Sequence, residues 1–176
     1  YNRTELLDLG DTDEMTYVLP DGTSESRLKH TVGKSMYTFY LKDYYGVNPS
    51  NGDALWRTED GTLTKDFDKA RYIYAGSPEP KFMGGFNTMV SWKGISLSAF
   101  FEFKQGNEAL IVENRYLNAD GNQMSMNQST NMLNYWEKPG DVGVNPKPVA
   151  GVASNSYTFA NTRWLEDGSF LRVKDI

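Results

Sequence analysis

Residues 82–105 carry the plainest hydrophobic pattern in the chain. From Phe82 the even positions read Phe82, Gly84, Phe86, Thr88, Val90 and Trp92, and the odd ones Met83, Gly85, Asn87, Met89 and Ser91. Period-two alternation predicts a strand whose even side is apolar. After Lys93-Gly94 the apolar side becomes the odd one: Ile95, Leu97, Ala99, Phe101 and Phe103, against Ser96, Ser98, Phe100, Glu102 and Lys104. A two-residue turn at Lys93-Gly94 explains the switch, because it sets Trp92 opposite Ile95 on one face. The register then pairs Val90 with Leu97, Thr88 with Ala99, Phe86 with Phe101 and Gly84 with Phe103. The last pair places a ring over a bare strand position. The other face pairs Ser91 with Ser96, Gly85 with Glu102 and Met83 with Lys104.

Each strand has about the 9–11 residues with which a β-strand crosses an outer membrane. Trp92 stands at the turn end beside Lys93. Phe82, Phe86, Phe101 and Phe103 stand toward the other end, with small and aliphatic residues between. This is the layout of aromatic girdles flanking a hydrocarbon band, and it makes these five rings candidate membrane-interface anchors. A soluble β-sandwich gathers rings on its core face in the same way, so the pattern alone leaves both readings open.

The rest of the chain is less periodic. Tyr1 to Leu28, with a Pro20-Asp21-Gly22 turn, reads as a loop with short strands. The aromatic stretch Ser35–Tyr45 ends at a turn signal, Gly46 to Gly52. Ala54–Arg57 predicts a short strand, and Thr64–Ala70 one helical turn. From Gly106 to Asp167 runs a long polar connection with isolated Tyr135, Trp136, Tyr157 and Trp164. A connection of this length without periodicity is usually functional. Ser169–Ile176 alternates again and predicts a returning strand. One tight turn and one long connection match the short periplasmic turns and long extracellular loops of outer-membrane barrels.

Composition narrows the chemistry. The 176 residues include no cysteine and carry a net charge of -5, with 14% aromatics. Absence of cysteine excludes disulfides, thiolate metal sites and a cysteine nucleophile. The acidic balance and scattered cations argue against nucleic acid as a partner. No apolar run approaches the roughly 20 residues of a transmembrane helix, which leaves crossing by strands open. His30 is the only histidine, so neither a zinc site nor a histidine-based triad has its partners. The runs Asp11, Asp13, Glu14 and Asn118, Asp120, Asn122 do not fit a calcium loop. Asp66 and Asp68 imitate a glycosidase pair without an implied pocket, and Gly84-Gly85 lies in a strand and lacks the rest of a phosphate loop. No catalytic residue, metal or cofactor is predicted. Tyr135 and Trp136 are candidate substrate contacts, since exposed rings stack on sugars. The competing reading is that they pack the loop against its surroundings.

Several segments, taken in order, resemble one family. Pro80-Lys81-Phe82-Met83-Gly84-Gly85-Phe86, followed by Trp92-Lys93-Gly94-Ile95-Ser96-Leu97, resembles a hairpin of the SusC/RagA-type, TonB-dependent outer-membrane transporters. Tyr135-Trp136-Glu137-Lys138-Pro139-Gly140-Asp141 resembles a loop segment of theirs, and Thr162 through Ile176 a later strand. Upstream, Gly33-Lys34-Ser35 and Tyr44 through Asp53 fit the same series. Phe170 stands where the family usually has Tyr, and Asp175 where it has Asn.

The resemblance implies an all-β fold: an antiparallel, curved open sheet that is a partial segment of a roughly 22-stranded transmembrane β-barrel with long extracellular loops. Residues 1–176 would then be barrel domain, with the plug domain, the TonB-contacting box and the final strands outside the chain. It further implies a Bacteroidetes-like outer membrane, uptake of glycans or peptides energised through TonB, and a SusD-like surface lipoprotein as partner. The alternatives are a soluble β-rich carbohydrate-binding module and a secreted hydrolase. A sheet with open edges is also expected to make the isolated piece poorly soluble in water.

Overall fold

A computed structural model describes residues 1–17, 28–123, 125–150 and 161–176. The Pro20-Asp21-Gly22 turn and Tyr157 lie outside them. In chain order the strands are β1 (Glu14–Tyr17), β2 (Leu28–Thr31), β3 (Tyr40–Lys42), β4 (Tyr44–Val47), β5 (Ala54–Arg57), β6 (Leu63–Thr64), β7 (Tyr72–Tyr74), β8 (Phe82–Trp92), β9 (Ile95–Gln105), β10 (Glu108–Leu110), β11 (Leu165–Asp167) and β12 (Phe170–Asp175). One short helix, α1 (Asn114–Leu117), and three 3-10 turns complete the described elements. None of the described helices is long and apolar enough to cross a membrane, which says nothing of strands.

The long hairpin is β8–β9, eleven residues in each strand. Its register runs from Trp92 opposite Ile95 to Phe82 opposite Gln105, every pair as the alternation predicts. Lys93 and Gly94 both adopt positive φ, 46° and 84°, the geometry a two-residue turn needs to match the strand twist. β12 pairs antiparallel with the other side of β9, giving the order β12-β9-β8 with two open edges. A bulge between Val173 and Asp175 shifts that register before the last pair, Asp175 opposite Phe100.

The connection from Gly106 to Asp167 is more ordered than its composition suggests. The β9–β12 ladder does not stop at Gln105. The backbone N–H of Gly106 donates to the Ser169 hydroxyl, that of Gly168 to the Asn107 carbonyl, and β10 then pairs with β11 from Glu108–Asp167 to Leu110–Leu165. Three-residue strands are too short for a periodic signal, so the pattern alone could not place them. The predicted turn at Gly46 is likewise displaced. β4 continues through Gly46 and Val47 against β5, with a bulge that Gly46 takes at φ 142°.

The segments above the hairpin form a cap with two small cores. In one, Trp56 meets Phe67 edge-on at 4.8 Å and Tyr44 at 5.1 Å, with Ala70 beside them. Phe67 opens the predicted helical turn, a 3-10 turn at Phe67–Lys69 capped by the Asp66 carboxylate, which accepts from the Asp68 N–H. In the other, Trp164 packs on Ala119 and Leu110. The cap joins the chain before β8 to the chain after β9. The Tyr44 N–H donates to the Thr162 hydroxyl at 2.9 Å, Lys147 N–H to the Gly52 carbonyl at 3.0 Å, and Lys42 bridges to Asn161.

Candidate membrane face and loop cap

Because side chains alternate across a strand, the register sorts the ribbon into two faces. On one lie Phe82, Gly84, Phe86, Thr88, Val90 and Trp92, with Ile95, Leu97, Ala99, Phe101 and Phe103 opposite them. β12 extends it, since Leu171 pairs with Phe103 and Val173 with Phe101. Sequence alternation predicted β12 as a strand but not its neighbour, so these two positions were missed as part of the face. Its turn-side half is uncovered: Val90 is 63% exposed, Ile95 72% and Leu97 58%. Ten residue steps at about 3.4 Å, tilted by about 35–45°, rise roughly 24–28 Å, the height of an outer-membrane apolar band.

Of the five predicted anchors, Trp92 stands at the turn, Phe82 and Phe103 near the other end, and the Phe86–Phe101 pair beside the midpoint of the ribbon. Trp92 is at the turn, with the Lys93 ammonium 4.6 Å from its ring centroid. Phe86 and Phe101 stack at 4.7 Å, and Phe82 meets Tyr1 at 5.5 Å. Phe103 lies over Gly84, where a Cβ would come within 3.1 Å of its ring. The opposite face is more polar. Ser91 and Ser96 hydroxyls bond at 2.7 Å, and Lys174 pairs with Glu102 at 3.2 Å.

In the cap, Trp136 lies against Gly52 so closely that a Cβ there would sit 2.6 Å from its ring. Its indole N–H donates to the Pro49 carbonyl at 3.0 Å, and Gly140 N–H donates to the same oxygen. Gly52, at φ 76°, serves both the turn and this close approach. Trp136 thus joins one loop to the other, while Tyr135 bridges to Asn145 and is half-buried. The Asp141 carboxylate accepts from the backbone N–H groups of Glu137 and Lys138, both at 3.0 Å. Those two bonds hold its carboxyl below the usual carboxylate range.

Sequence reasoning missed the strongest electrostatic feature of the cap. Arg163 grips Asp120 with two charge-assisted bonds, 2.6 and 2.7 Å, with side chains only 7% and 1% exposed. Its planar fork also reaches Asn145 and stands 4.6 Å from the Trp164 ring centroid. A separation of 43 positions hid the pair from any local pattern. Beside it, burial pushes the Tyr44 hydroxyl up to about 12; Arg163 opposes that rise and Asp120 adds to it. Lys42 donates to the carbonyls of Phe67 and Asp68 at 2.6 and 3.2 Å, and burial lowers its pKa. His30 sits in β2 opposite Met15. Among the described residues no group of three or more His, Cys, Asp or Glu is placed to hold a metal ion.

No family model matches the chain. A curated relative, a TonB-dependent receptor of Formosa agariphila, is 27% identical over 193 residues, covering 99% of this chain and 18% of its own length. Among solved structures, the RagAB peptide transporter matches with a TM-score of 0.73 and 28% identity, over 97% of this chain and 18% of that one. The RagAB peptide importer in its closed-closed state matches with a TM-score of 0.71 and 29% identity. The chain therefore spans about a fifth of the length of the proteins it matches. In sequence and in fold alike the chain is similar to a stretch of these proteins, an all-β segment of a SusC/RagA-like barrel with its overlying loops.

Proposed function

We propose that this chain forms part of the wall and outer cap of an active outer-membrane importer. The apolar face of β12-β9-β8 meets acyl chains, and the opposite face lines the lumen. The cap stands on the cell-surface side, at the end of the ribbon away from the Lys93-Gly94 turn. The importer takes up oligomeric nutrients, glycans or peptides, through TonB and with a SusD-like surface lipoprotein. The plug, the TonB-contacting box and the final strands belong to parts of the polypeptide beyond this chain. The work here is binding and gating; no reaction is assigned to it. Tyr135 contributes to cargo contact, and Trp136 holds the loop that carries it.

The observation that carries this reading is the uncovered apolar face itself. A sandwich hairpin would have a second sheet about 10 Å away. Here all eleven residues of β8 are exposed, on both faces, as a wall with lipid on one side and water on the other requires. Likeness to a protein named as a peptide transporter supports the cargo class. The test is nitroxide labelling of cysteine variants of the receptor that carries this segment, reconstituted in lipid. Labels at Val90 and Leu97 should collide with oxygen and be shielded from a water-soluble nickel chelate. Labels at Met89 and Ser98 should show the reverse. Equal shielding at all four positions would mean a protein interior on both sides and would end the proposal.

A further inference from the structure

Where ribbon and cap meet, the start of β8, the residues just past β9 and the Lys34-Ser35 segment enclose a cleft of about 500 Å³. Small-ligand clefts span roughly 300–1,000 Å³. One wall is apolar: the Phe82 ring, on the acyl-facing side of β8, with the Tyr1 ring against it. The cleft therefore adjoins the apolar face at the height where hydrocarbon gives way to head groups. The other wall is charged. The Lys34 ammonium stands 4.3 Å from the Tyr74 ring centroid, and the Lys81 stem packs on Gly106. Among the described residues neither ammonium has a carboxylate within 4.0 Å.

The remaining charges are disposed differently. Arg3 pairs with Glu5 at 3.2 Å and is largely exposed. The Glu79 carboxylate is committed to the Ser35 hydroxyl at 2.5 Å and the Thr4 hydroxyl at 3.4 Å. Glu108 lays its stem across Gly76. The cleft thus presents two lysines with no carboxylate within 4.0 Å, two carboxylates, Glu79 and Glu108, and an apolar wall continuous with the membrane face.

From this placement we infer that the cleft holds the phosphorylated head group of an outer-leaflet lipid. The phosphate is bound by Lys34 and Lys81, an amine or hydroxyl by Glu108, and the first methylenes lie along Phe82. Lysine ammonium groups at a membrane surface bind phosphorylated head groups in this way. A free phosphate shares the anionic chemistry but has no use for the Phe82 wall. The inference rests on the acyl-facing orientation proposed above.

The test uses the receptor carrying this segment, purified in detergent. Its thermal unfolding is followed with added diphosphorylated lipid A, with the dephosphorylated glycolipid, or with inorganic phosphate. The phosphorylated lipid alone should raise the midpoint. The rise should vanish in Lys34→Gln/Lys81→Gln, survive in Lys34→Arg/Lys81→Arg, and survive in the distant control Lys65→Gln/Lys138→Gln. An equal rise with inorganic phosphate would make this a free-anion site and overturn the lipid assignment. No rise with any addition, a rise retained in the glutamine pair, or a loss shared by the control would also overturn it. The labels at Val90 and Leu97 report the orientation separately. If they lie in hydrocarbon and the lipid has no effect, the head-group site alone falls.

Discussion

The Phe100 ring lies against Gly85 so closely that a Cβ built on that glycine would sit 2.9 Å from it. The same Cβ would also meet the Phe101 carbonyl oxygen at 2.9 Å. Gly84, one residue earlier and on the opposite face, faces only the Phe103 ring, at 3.1 Å. A ring can turn aside; a carbonyl in a paired strand cannot without breaking the ladder. Gly85→Ala should therefore cost about 1–3 kcal/mol, the range for overpacking, and Gly84→Ala less than about 1 kcal/mol. Urea unfolding of the receptor in lipid vesicles, read by tryptophan fluorescence, checks the order. A larger loss at Gly84 would contradict it.

Thr88 and Asn87 are adjacent, lie near the middle of β8 and point to opposite faces. An arginine at the bilayer midplane costs about 2–4 kcal/mol on the lipid side of a barrel. Thr88→Arg should lose about that much, whereas Asn87→Arg should leave stability nearly unchanged. The same unfolding measurement in vesicles separates them, and equal losses would reject the assignment of faces.

The Asp120–Arg163 pair offers a test confined to the cap. Removing one member of a buried pair strands its partner's charge, typically at about 3–5 kcal/mol. Asp120→Asn should speed amide exchange around Ala119–Asn122 and Asn161–Leu165, leaving β8 and β9 as protected as before. Uniform loss across the ribbon would show that cap and wall unfold together.

Asp141 gives a pH dependence whose sign is fixed. Its folded pKa is depressed below the ordinary 3.8 by the N–H groups of Glu137 and Lys138. The ionised form is thus favoured by folding. Its stabilisation is complete above the ordinary value and is lost as pH falls through the depressed one. Exchange at the Glu137 and Lys138 amides should rise on acidification in that window. Asp141→Asn should show the loosened loop already at neutral pH, with no further acid step.

How much of this was legible in the sequence follows from how local each signal is. The hairpin announced its register because two eleven-residue strands change parity across Lys93-Gly94, and a one-residue slip would turn every apolar side chain to the other face. The turn at Phe67–Lys69 and the strand at Ala54–Arg57 were also within reach of neighbouring residues. β10 and β11 were not: each has three residues, and its partner lies more than fifty positions away. The Arg163–Asp120 pair and the seat of Trp136 on Gly52 failed for the same reason. Trp136 was recognisable as a large ring on a loop. What its sequence neighbourhood could not supply was Gly52, the bare position that receives it.

The hydrogen bond from Tyr44 to Thr162 closes a span of 118 residues, while Trp92 and Ile95 meet across two. Contacts that close long spans form slowly, since the entropy of the intervening chain is lost before anything is gained. The two parts of this chain are therefore expected to mature at different times. The ribbon can zip as soon as it is made, but the surface lid must wait for residues synthesised well after it. Until Asn161, Thr162 and Arg163 arrive, Lys42, Tyr44 and Asp120 stand half-assembled, so the cap closes after the ribbon.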